Sequence, residues 1–294
     1  MPKIKYISKR FAKSSRLLMA QAQEIVSEYE QQGYDLTLRQ LYYQFVSRDY
    51  LANKQTEYKR LGSLISDARL AGFIDWDSIT DRTRNLHSLP SWASPGEIIA
   101  SCANQYRTDL WANQPCRVEV SVEKEALSGV FQRICDELRL PMFACRGYCS
   151  QSEMWVAAQR LNRYRRAGQQ PIILHFGDHD PSGMDMTRDI VDRLAILNCP
   201  LRLERLALNM DQVEQYDPPP NPAKMTDCRA EGYVAEFGES SWELDALEPA
   251  VLSDLVSSYV AELRDDRAWG EAAAVEAMGR DKLREISNRE TESE

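Results

Sequence analysis

The chain has 294 residues, a net charge of −9, 43% hydrophobic residues and 28% charged residues. These proportions are typical of a globular protein, and the length allows two domains with separate cores. No apolar run approaches the roughly 20 residues of a membrane-spanning helix, so we expect a cytoplasmic protein without a membrane partner. Seven cysteines without a CxxC pair fit reduced thiols better than a disulfide framework or a zinc site.

The charge is unevenly distributed along the chain. Residues 1–90 carry 14 basic and 10 acidic residues, whereas the remaining residues carry 22 and 35. Six basic residues and no acid occur in the first sixteen positions: Lys3, Lys5, Lys9, Arg10, Lys13 and Arg16. Phosphate contacts, if the chain makes any, are therefore expected at its N-terminal end, with a solubilising basic tail as the alternative.

The first 90 residues predict three helices followed by a short strand and loop, at 12–31, 37–46, 57–70 and 73–84. Asp35 and Thr37 are both suitable N-caps for the second helix. This order of elements is the outline of a winged helix, a DNA-binding relative of the helix-turn-helix. The third helix carries Lys59, Arg60 and Arg69, which we expect to contact phosphates, although a solvated helix face explains each of them equally well.

From residue 117 onwards the pattern alternates between strands and helices. Strands are predicted at 117–122, 142–145, 171–176 and 201–208, with helices between them. This alternation predicts an α/β domain over 117–210 with a doubly wound parallel sheet. Residues 91–116 have the proline and glycine content of a linker, and residues 211–294 are predicted to form a mainly helical extension.

Three acidic residues follow strands of this predicted sheet. Glu123 comes directly after the first strand, and Asp178 and Asp180 come after the third. In a flavodoxin-like strand order these two strands are neighbours, so the three carboxylates would converge at the carboxyl edge. Clustered carboxylates favour a hard cation such as Mg²⁺, with Mn²⁺ as an alternative. Gly177 and Gly183 are expected to let the backbone turn tightly around the site.

Each acid, taken alone, also fits a role that needs no metal. Asp180 precedes Pro181 and would make a good helix N-cap, and Glu123 alone resembles a solvated loop residue. A strand followed by Asp-x-Asp also fits the haloacid-dehalogenase-like phosphatases, although their motif normally opens the domain. His175 and His179 could join a metal, but a structural role is favoured for His175, which lies within a strand.

Two of these segments resemble the paired motifs of a Toprim domain: VEKEA at 122–126 and FGDHDPSG at 176–183. The resemblance is strongest to the topoisomerase VI A subunit and to the meiotic double-strand-break transesterase. In that family a winged helix precedes the Toprim domain and carries an Arg-x-x-Tyr-Tyr-like motif, which RQLYY at 39–43 matches. The three motifs appear in the family's order and cover roughly residues 30–200.

The resemblance implies Mg²⁺-dependent DNA strand cleavage by a tyrosine, leaving a 5′-phosphotyrosyl adduct. It implies Tyr43 as the nucleophile, ahead of Tyr42, and Arg39 as the residue that steadies the phosphate or phenolate. It also implies Glu123, Asp178 and Asp180 as metal ligands, with Glu123 doubling as acid or base. A homodimer is implied, because in the family one subunit's tyrosine works with the other's metal, and DNA binding would place the protein at the nucleoid.

Two departures from the family leave alternatives open. The chain is short for a complete A subunit, and no Gly-rich phosphate loop is present, so any ATPase would be a separate subunit. A hydrolytic Toprim nuclease would use the same metal site with water as the attacking group. A winged-helix DNA-binding protein with a Toprim scaffold is the non-catalytic alternative, and Tyr42 and Tyr43 would then be core residues.

Overall fold

The computed structural model describes residues 3–34, 36–79, 89–145 and 147–292. Its N-terminal part contains the three predicted helices: α1 (Lys13–Gln31), α2 (Leu38–Ser47) and α3 (Gln55–Leu70). They pack around one apolar cluster to which α1 contributes Ile25 and Tyr29 and α2 contributes Leu41 and Phe45. Burial of the apolar stripe of each helix holds this unit together.

The start of α2 is defined by a capping box. The Thr37 hydroxyl accepts a hydrogen bond from the Gln40 amide, and the Gln40 side chain accepts one from the Thr37 amide. This arrangement satisfies two amides at the start of the helix. The alternative cap, Asp35, lies outside the described residues.

The predicted strand after α3 is not formed at residues 73–79. These residues turn, and only single bridges occur nearby, between Lys5 and Ala71 and between Leu36 and Ile79. The guanidinium of Arg69 donates to the carbonyls of Trp76 and Ile79, which holds the segment folded back on α3. The rest of the predicted loop, residues 80–84, lies outside the described residues.

The predicted parallel sheet is confirmed. Its strands are β1 (Cys116–Val122), β2 (Met142–Ala144), β3 (Gln170–Phe176) and β4 (Arg202–Ala207), and their order is β2-β1-β3-β4. All pairs are parallel, and Val122 at the end of β1 pairs with Phe176 at the end of β3. The residues that follow these two strands therefore start from the same edge.

Helices connect the strands and cover both faces of the sheet. A short 3₁₀ turn (Glu125–Leu127) leads into α5 (Ser128–Leu138), while α6 (Gln151–Arg166) and α7 (Pro181–Ile196) follow β2 and β3. Two apolar clusters result, one around β1 and α5 and the other against α6 and α7. Residues 171–174 of β3 are all apolar because both faces of the sheet are covered. In β1, valines alternate with Arg117, Glu119 and Ser121, and Glu119 pairs with Arg160 of α6 at 2.8 Å.

The C-terminal extension packs against the sheet. It contains α8 (Met210–Tyr216), the short pair β5 (Asn221–Pro222) and β6 (Ser240–Ser241), α9 (Ala230–Phe237), a 3₁₀ turn (Leu244–Ala246), α10 (Pro249–Leu263) and α11 (Asp266–Glu292). Leu244, Leu252 and Val256 join the apolar cluster of β1. The extension therefore shares the core of the sheet.

The predicted linker contains one helix, α4 (Pro95–Gln105), which packs along α11. Ser94 caps it by accepting a hydrogen bond from the Glu97 amide at 3.2 Å. Within the described ranges, no helix combines the length and the apolar character needed to cross a bilayer.

Candidate active site

The carboxyl edge of the sheet brings Glu123 and Asp178 into direct contact. The Glu123 amide donates to the Phe176 carbonyl at 2.8 Å, and the Asp178 amide donates to Oε2 of Glu123, also at 2.8 Å. Both side chains are buried, with 9% and 6% of their surface exposed. The predicted convergence of these two carboxylates, from loops 55 residues apart, is therefore observed.

Gly177 and Gly183 are needed for a different reason than the one predicted. Neither residue has a positive φ, so the turn itself does not require glycine. A Cβ at Gly177 would lie 3.0 Å from Oε2 of Glu123, and one at Gly183 would overlap the Asp178 carbonyl. The two glycines leave the space in which Glu123 and the Asp178 loop meet.

Burial changes the acidity of the two carboxyl groups. Removal from water, and secondarily the charge of Asp178, raises the pKa of Glu123 to about 7. Burial likewise raises the pKa of Asp178, although Lys124 opposes this shift. Glu123 therefore binds or releases its proton near neutral pH, which is the property required of a general acid or base.

Asp180 lies beside this pair as the N-cap of α7. Its Oδ1 accepts from the Gly183 amide at 2.7 Å and from the Ser182 hydroxyl at 2.8 Å. Its Oδ2 faces the Lys224 ammonium at the long distance of 3.9 Å. Asp180 therefore caps its helix, and no described residue places a hydrogen-bond donor closer to its second oxygen than Lys224.

Three charged residues that the sequence reasoning missed complete the site: Lys124, Glu243 and Asp245. The Lys124 ammonium contacts Asp178 Oδ2 at 2.9 Å, Glu243 Oε2 at 2.7 Å and Asp245 Oδ1 at 3.1 Å. The Asp245 side chain is completely buried. In the sequence, the two acids Glu243 and Asp245 stand between apolar residues, a pattern that could have marked them as buried. The sequence near them gives no indication that they lie beside the end of β3.

The backbone fixes this C-terminal segment over the acids. His179 and Trp242 form a two-way backbone bridge with both N···O distances at 2.9 Å. In addition, the Leu244 amide donates to Oδ1 of Asp178 at 2.8 Å. Residues 242–245 thus form a fixed cover at the edge of the sheet.

Arg39 connects α2 to the same acids. Its guanidinium pairs with Glu243 and, at 2.7 Å, with Oδ2 of Asp245. It also lies 5.8 Å from the centre of the Tyr43 ring, as expected for residues one helical turn apart. Because Lys124 contacts the same two acids, one chain of ion pairs runs from α2 to Asp178.

The two tyrosines of α2 differ in what their hydroxyls do. The Tyr42 hydroxyl accepts from the Lys54 amide at 2.8 Å and lies 3.1 Å from the Lys54 carbonyl, so it is tied to the backbone. The Tyr43 hydroxyl makes no hydrogen bond to any described residue. Tyr42 and Tyr43 both line a cleft of about 230 Å³ together with Arg39, Lys54 and Glu243. The difference between the two hydroxyls, and not access to the cleft, favours Tyr43 over Tyr42 as a reactive group.

The surroundings of Tyr43 nevertheless disfavour its ionised form. Only 5% of the residue is exposed, and burial raises the pKa of the phenol, reinforced by the charges of Asp245 and Glu243. Arg39 and Lys124 act in the opposite direction. The phenol is therefore protonated at neutral pH in this arrangement, and attack by it requires transfer of its proton.

Arg205, near the end of β4, is a further residue that sequence reasoning missed. Its guanidinium donates to the carbonyl oxygens and the hydroxyl of five residues: Gly177, Asp178, Gly183, Leu208 and Thr187. Burial lowers its pKa to about 10, so it remains charged at neutral pH. It fixes the loops that carry the acids and supplies positive charge near Glu123 and Asp178.

The donor set suits a hard cation, although the ligands are not gathered around one point. Glu123, Asp178 and Asp180 each use one oxygen to accept from a backbone amide, which orients the carboxylates. The second oxygens of Glu123 and Asp180 face a ligand position, whereas Oδ2 of Asp178 is paired with Lys124 at 2.9 Å. Within the described part of the chain, no group of three or more Asp, Glu, His or Cys residues has metal-holding geometry. The residues fit Mg²⁺ or Mn²⁺ by chemistry, and their side chains must move to hold it.

The two histidines near the site, His175 and His179, make contacts within the core. His175 is buried, its Nδ1 lies 2.9 Å from the Thr187 hydroxyl, and burial lowers its pKa to about 3. His179 Nδ1 lies 2.7 Å from the Tyr233 hydroxyl, and its ring packs among aromatic side chains. Both imidazoles are thus occupied by contacts within the core.

The basic residues predicted to contact DNA on α3 are not equivalent. Lys59 and Arg60 are exposed, and Arg60 pairs with Glu57 at 3.1 Å. Arg69 is only partly exposed, donates to two backbone carbonyls and lies 5.7 Å from the Trp76 ring centre. Only the first two present their charge to solvent as a phosphate contact requires.

Comparisons with known proteins yield no match to a family model, to a curated protein or to a solved structure. The three sequence motifs and the geometry of the site they form are therefore the basis for assigning a function.

Proposed function

We propose that this protein is a DNA strand-cleaving enzyme that depends on Mg²⁺ or Mn²⁺ and uses Tyr43 as its nucleophile, like the topoisomerase VI A subunit. One observation carries the proposal. The helix with Arg39 and Tyr43 is joined to the acids at the carboxyl edge by the ion pairs of Arg39 and Lys124 with Glu243 and Asp245. Residues from motifs that are distant in the sequence thereby share one site.

Access for a substrate comes from two clefts that share Arg39. One is the cleft of Tyr43, and the other, of about 280 Å³, is lined by Arg39, Glu123, Lys124 and Gly147. A phosphate that contacts Arg39 would therefore lie between the phenol and the acids. Arg39 is 43% exposed at its side chain, which leaves donors for such a contact.

In the proposed reaction, the Tyr43 oxygen attacks phosphorus, a phosphotyrosyl ester forms, and the bond from phosphorus to the 3′-oxygen breaks. The phenolic proton passes to a base, and the 3′-oxygen takes up a proton; Glu123 can exchange protons near neutral pH. Glu123, Asp178 and Asp180 would hold the metal ion, which would stabilise charge on the phosphate. Arg39 and Lys124 would stabilise the phenolate.

Hydrolysis by the same acids is the second candidate, and the burial of Tyr43 favours it. A phenol that is 5% exposed and whose pKa is raised is a poor nucleophile unless the site rearranges. Water would then attack, with Glu123 as general base, and no covalent adduct would form.

The proposed partners follow from the resemblance. DNA is the substrate, a second copy of the chain would complete a homodimer, and a separate ATPase subunit would supply nucleotide dependence. In the cell we propose a cytoplasmic enzyme, located at the nucleoid when bound to DNA. Lys59 and Arg60 are suited to contact the phosphates.

Cleavage of supercoiled DNA tests the proposal. The protein is incubated with DNA and Mg²⁺, the reaction is stopped with detergent, and 5′ ends are assayed for attached protein. We expect an adduct that disappears in Tyr43→Phe and in Asp178→Asn but persists in Tyr58→Phe, a tyrosine lining the same cleft.

Two other outcomes discriminate between the alternatives. Cleavage without an adduct that survives Tyr43→Phe and is lost in Asp178→Asn identifies the hydrolytic nuclease. Intact DNA that is nevertheless bound, with Mg²⁺ or Mn²⁺ and at all protein concentrations tested, contradicts both enzymatic functions and leaves a DNA-binding protein.

A further inference from the structure

Lys124 has an unusual position for a lysine beside a candidate metal site. Its side chain is only 18% exposed, and its ammonium contacts three carboxylates: Asp178, Glu243 and Asp245. A buried ammonium with three acidic partners acts as the counter-cation of the cluster. It fills a place where positive charge is required.

Both oxygens of Asp178 are in use as a result. Oδ1 accepts from the Leu244 amide at 2.8 Å, and Oδ2 pairs with Lys124 at 2.9 Å. The amide contact is part of the fixed backbone, whereas the ammonium is at the end of a flexible side chain. A metal ion that binds Asp178 must therefore take Oδ2 from Lys124.

The ammonium has other acids to pair with when it leaves Asp178. Glu243 Oε2 is 2.7 Å away and Asp245 Oδ1 is 3.1 Å away, both on the cover segment 242–245. Neither residue belongs to the proposed metal ligands. Lys124 can thus give up Asp178 without leaving its charge unpaired in the interior.

We propose that Lys124 is a built-in competitor of the divalent cation: it occupies Asp178 when no metal is bound and shifts to Glu243 and Asp245 when metal binds. This inference rests on the proposed function, because it assumes that Asp178 is a metal ligand. Lys124 is a positioning residue in this scheme and does not touch the substrate.

The shift would also reach α2. Glu243 Oε2 accepts from both Lys124 and Arg39, so a closer approach of the ammonium weakens the hold of Glu243 on the guanidinium. Arg39 lies one helical turn before Tyr43. Metal binding would in this way loosen Arg39 from Glu243 and free part of its guanidinium to contact a phosphate, while its pair with Asp245 holds it in place.

Metal titration without DNA tests the competition directly. Binding of Mn²⁺ is measured by electron paramagnetic resonance, and binding of Mg²⁺ by calorimetry. We compare the wild type with Lys124→Met, with the hydrogen-bonding variant Lys124→Gln, and with Lys224→Met. Lys224 is a matched control because it faces Asp180 from 3.9 Å but is 77% exposed.

Removal of the ammonium should tighten metal binding. We expect a Kd at least about tenfold lower in Lys124→Gln, which corresponds to ~1.4 kcal/mol, and less than about a twofold change in Lys224→Met. In a Glu243→Gln background Lys124 has one partner fewer and competes harder for Asp178, so the gain from Lys124→Gln should be larger. Circular dichroism and gel filtration establish whether each variant is folded. If Lys124→Met does not fold, Lys124→Gln alone provides the comparison with the wild type.

The possible failures are distinguishable. If the wild type binds the ion in an Asp178-dependent manner and Lys124→Gln binds it equally or more weakly, the competition is refuted while the metal site stands. An equal or smaller gain in the Glu243→Gln background refutes the shift. If no variant shows binding that Asp178→Asn abolishes, the metal-dependent function fails together with this inference.

Discussion

The interior of the sheet buries apolar side chains, whereas its carboxyl edge, one or two residues further along the same strands, buries charged ones. Val118, Val120 and Val122 of β1 are fully buried among apolar side chains. Directly beyond them, Glu123 and Lys124 are largely buried among other charges. The interior gains stability from burying apolar surface, whereas the edge loses stability by desolvating charge, which is common at functional sites.

The edge remains folded because its charges compensate one another. Lys124 pairs with Asp178 and Asp245, and Arg39 also pairs with Asp245. Arg205 donates to the backbone carbonyls of Gly177 and Asp178 in the loop that carries the acids. Among the residues that the structure describes, acids outnumber the cations that contact them. Burial raises the pKa values of Glu123 and Asp178, and the neighbouring acids reinforce this shift. A divalent cation would supply the missing positive charge, so the excess of acid at the edge supports the proposed metal.

The largest stability effect is expected at Arg205, the cation that holds the edge. Arg205→Met removes one donor from each of four buried carbonyl oxygens, of which that of Gly177 also accepts from the Leu208 amide, and it removes positive charge near Glu123. We expect a loss of about 3–5 kcal/mol in the free energy of unfolding, measured by urea denaturation. Leu174→Ala in the interior is the comparison, with about 2–5 kcal/mol. A loss below about 1 kcal/mol at Arg205 would show that water replaces its contacts and that the edge is not tightly ordered.

A smaller effect of opposite sign is expected at Glu123. The pKa of Glu123 is about 7 in the folded chain and 4.5 for an unperturbed glutamate. Between pH 4.5 and about pH 7 the folded state therefore keeps a proton on Glu123 that the unfolded state has lost. Its burial therefore costs nothing below about pH 4.5, and the cost grows as the pH rises to about 7. Glu123→Gln removes this cost and should stabilise the metal-free protein by about 1–3 kcal/mol at pH 8.

Thermal unfolding of both proteins at several pH values checks this prediction. The melting temperature of Glu123→Gln should exceed that of the wild type at pH 8, and the difference should vanish near pH 4.5. Saturating Mg²⁺ should reverse the order, because only the wild type retains the complete ligand set. A constant difference at all pH values would mean that packing rather than charge separates the two proteins.

The smallest effect is expected for an ion pair away from the edge. Arg60 and Glu57 pair on the surface of α3, with the arginine side chain 57% exposed. Arg60→Ala should change the free energy of unfolding by less than about 0.5 kcal/mol. Its effect should appear instead as weaker DNA binding with a shallower salt dependence in an anisotropy titration. Glu57→Ala is the control, since it removes the same pair and leaves the basic charge.

Local pattern was sufficient for most elements of this fold. The helical spacing of Ile25 and Tyr29 and the capping chemistry of Thr37 specify α1 and α2 from neighbouring residues alone. The β-branched residues of 117–122 and the apolar run at 171–176 likewise predict strands, and the alternation of strands with helices predicts that the sheet is parallel. The exception was the short strand and loop predicted over 73–84: residues 73–79 turn instead, and Arg69 donates to two of their backbone carbonyls.

The site divides in the same way. The sequence by itself determined that Glu123, Asp178 and Asp180 follow strand ends and that Arg39 and Tyr43 share a helix face, since strand termini and helical spacing are local properties. Only the tertiary structure decided that Lys124 pairs with Asp178 and that the segment with Glu243 and Asp245 lies over the acids. It also decided that Arg205 donates to the backbone of the loop with Gly177 and Asp178. The contacts of Arg205 with Asp178, of Lys124 with Asp245 and of Arg39 with Glu243 join residues 27, 121 and 204 positions apart. Such pairing is specified by the packing of the C-terminal extension against the sheet, which no local pattern encodes.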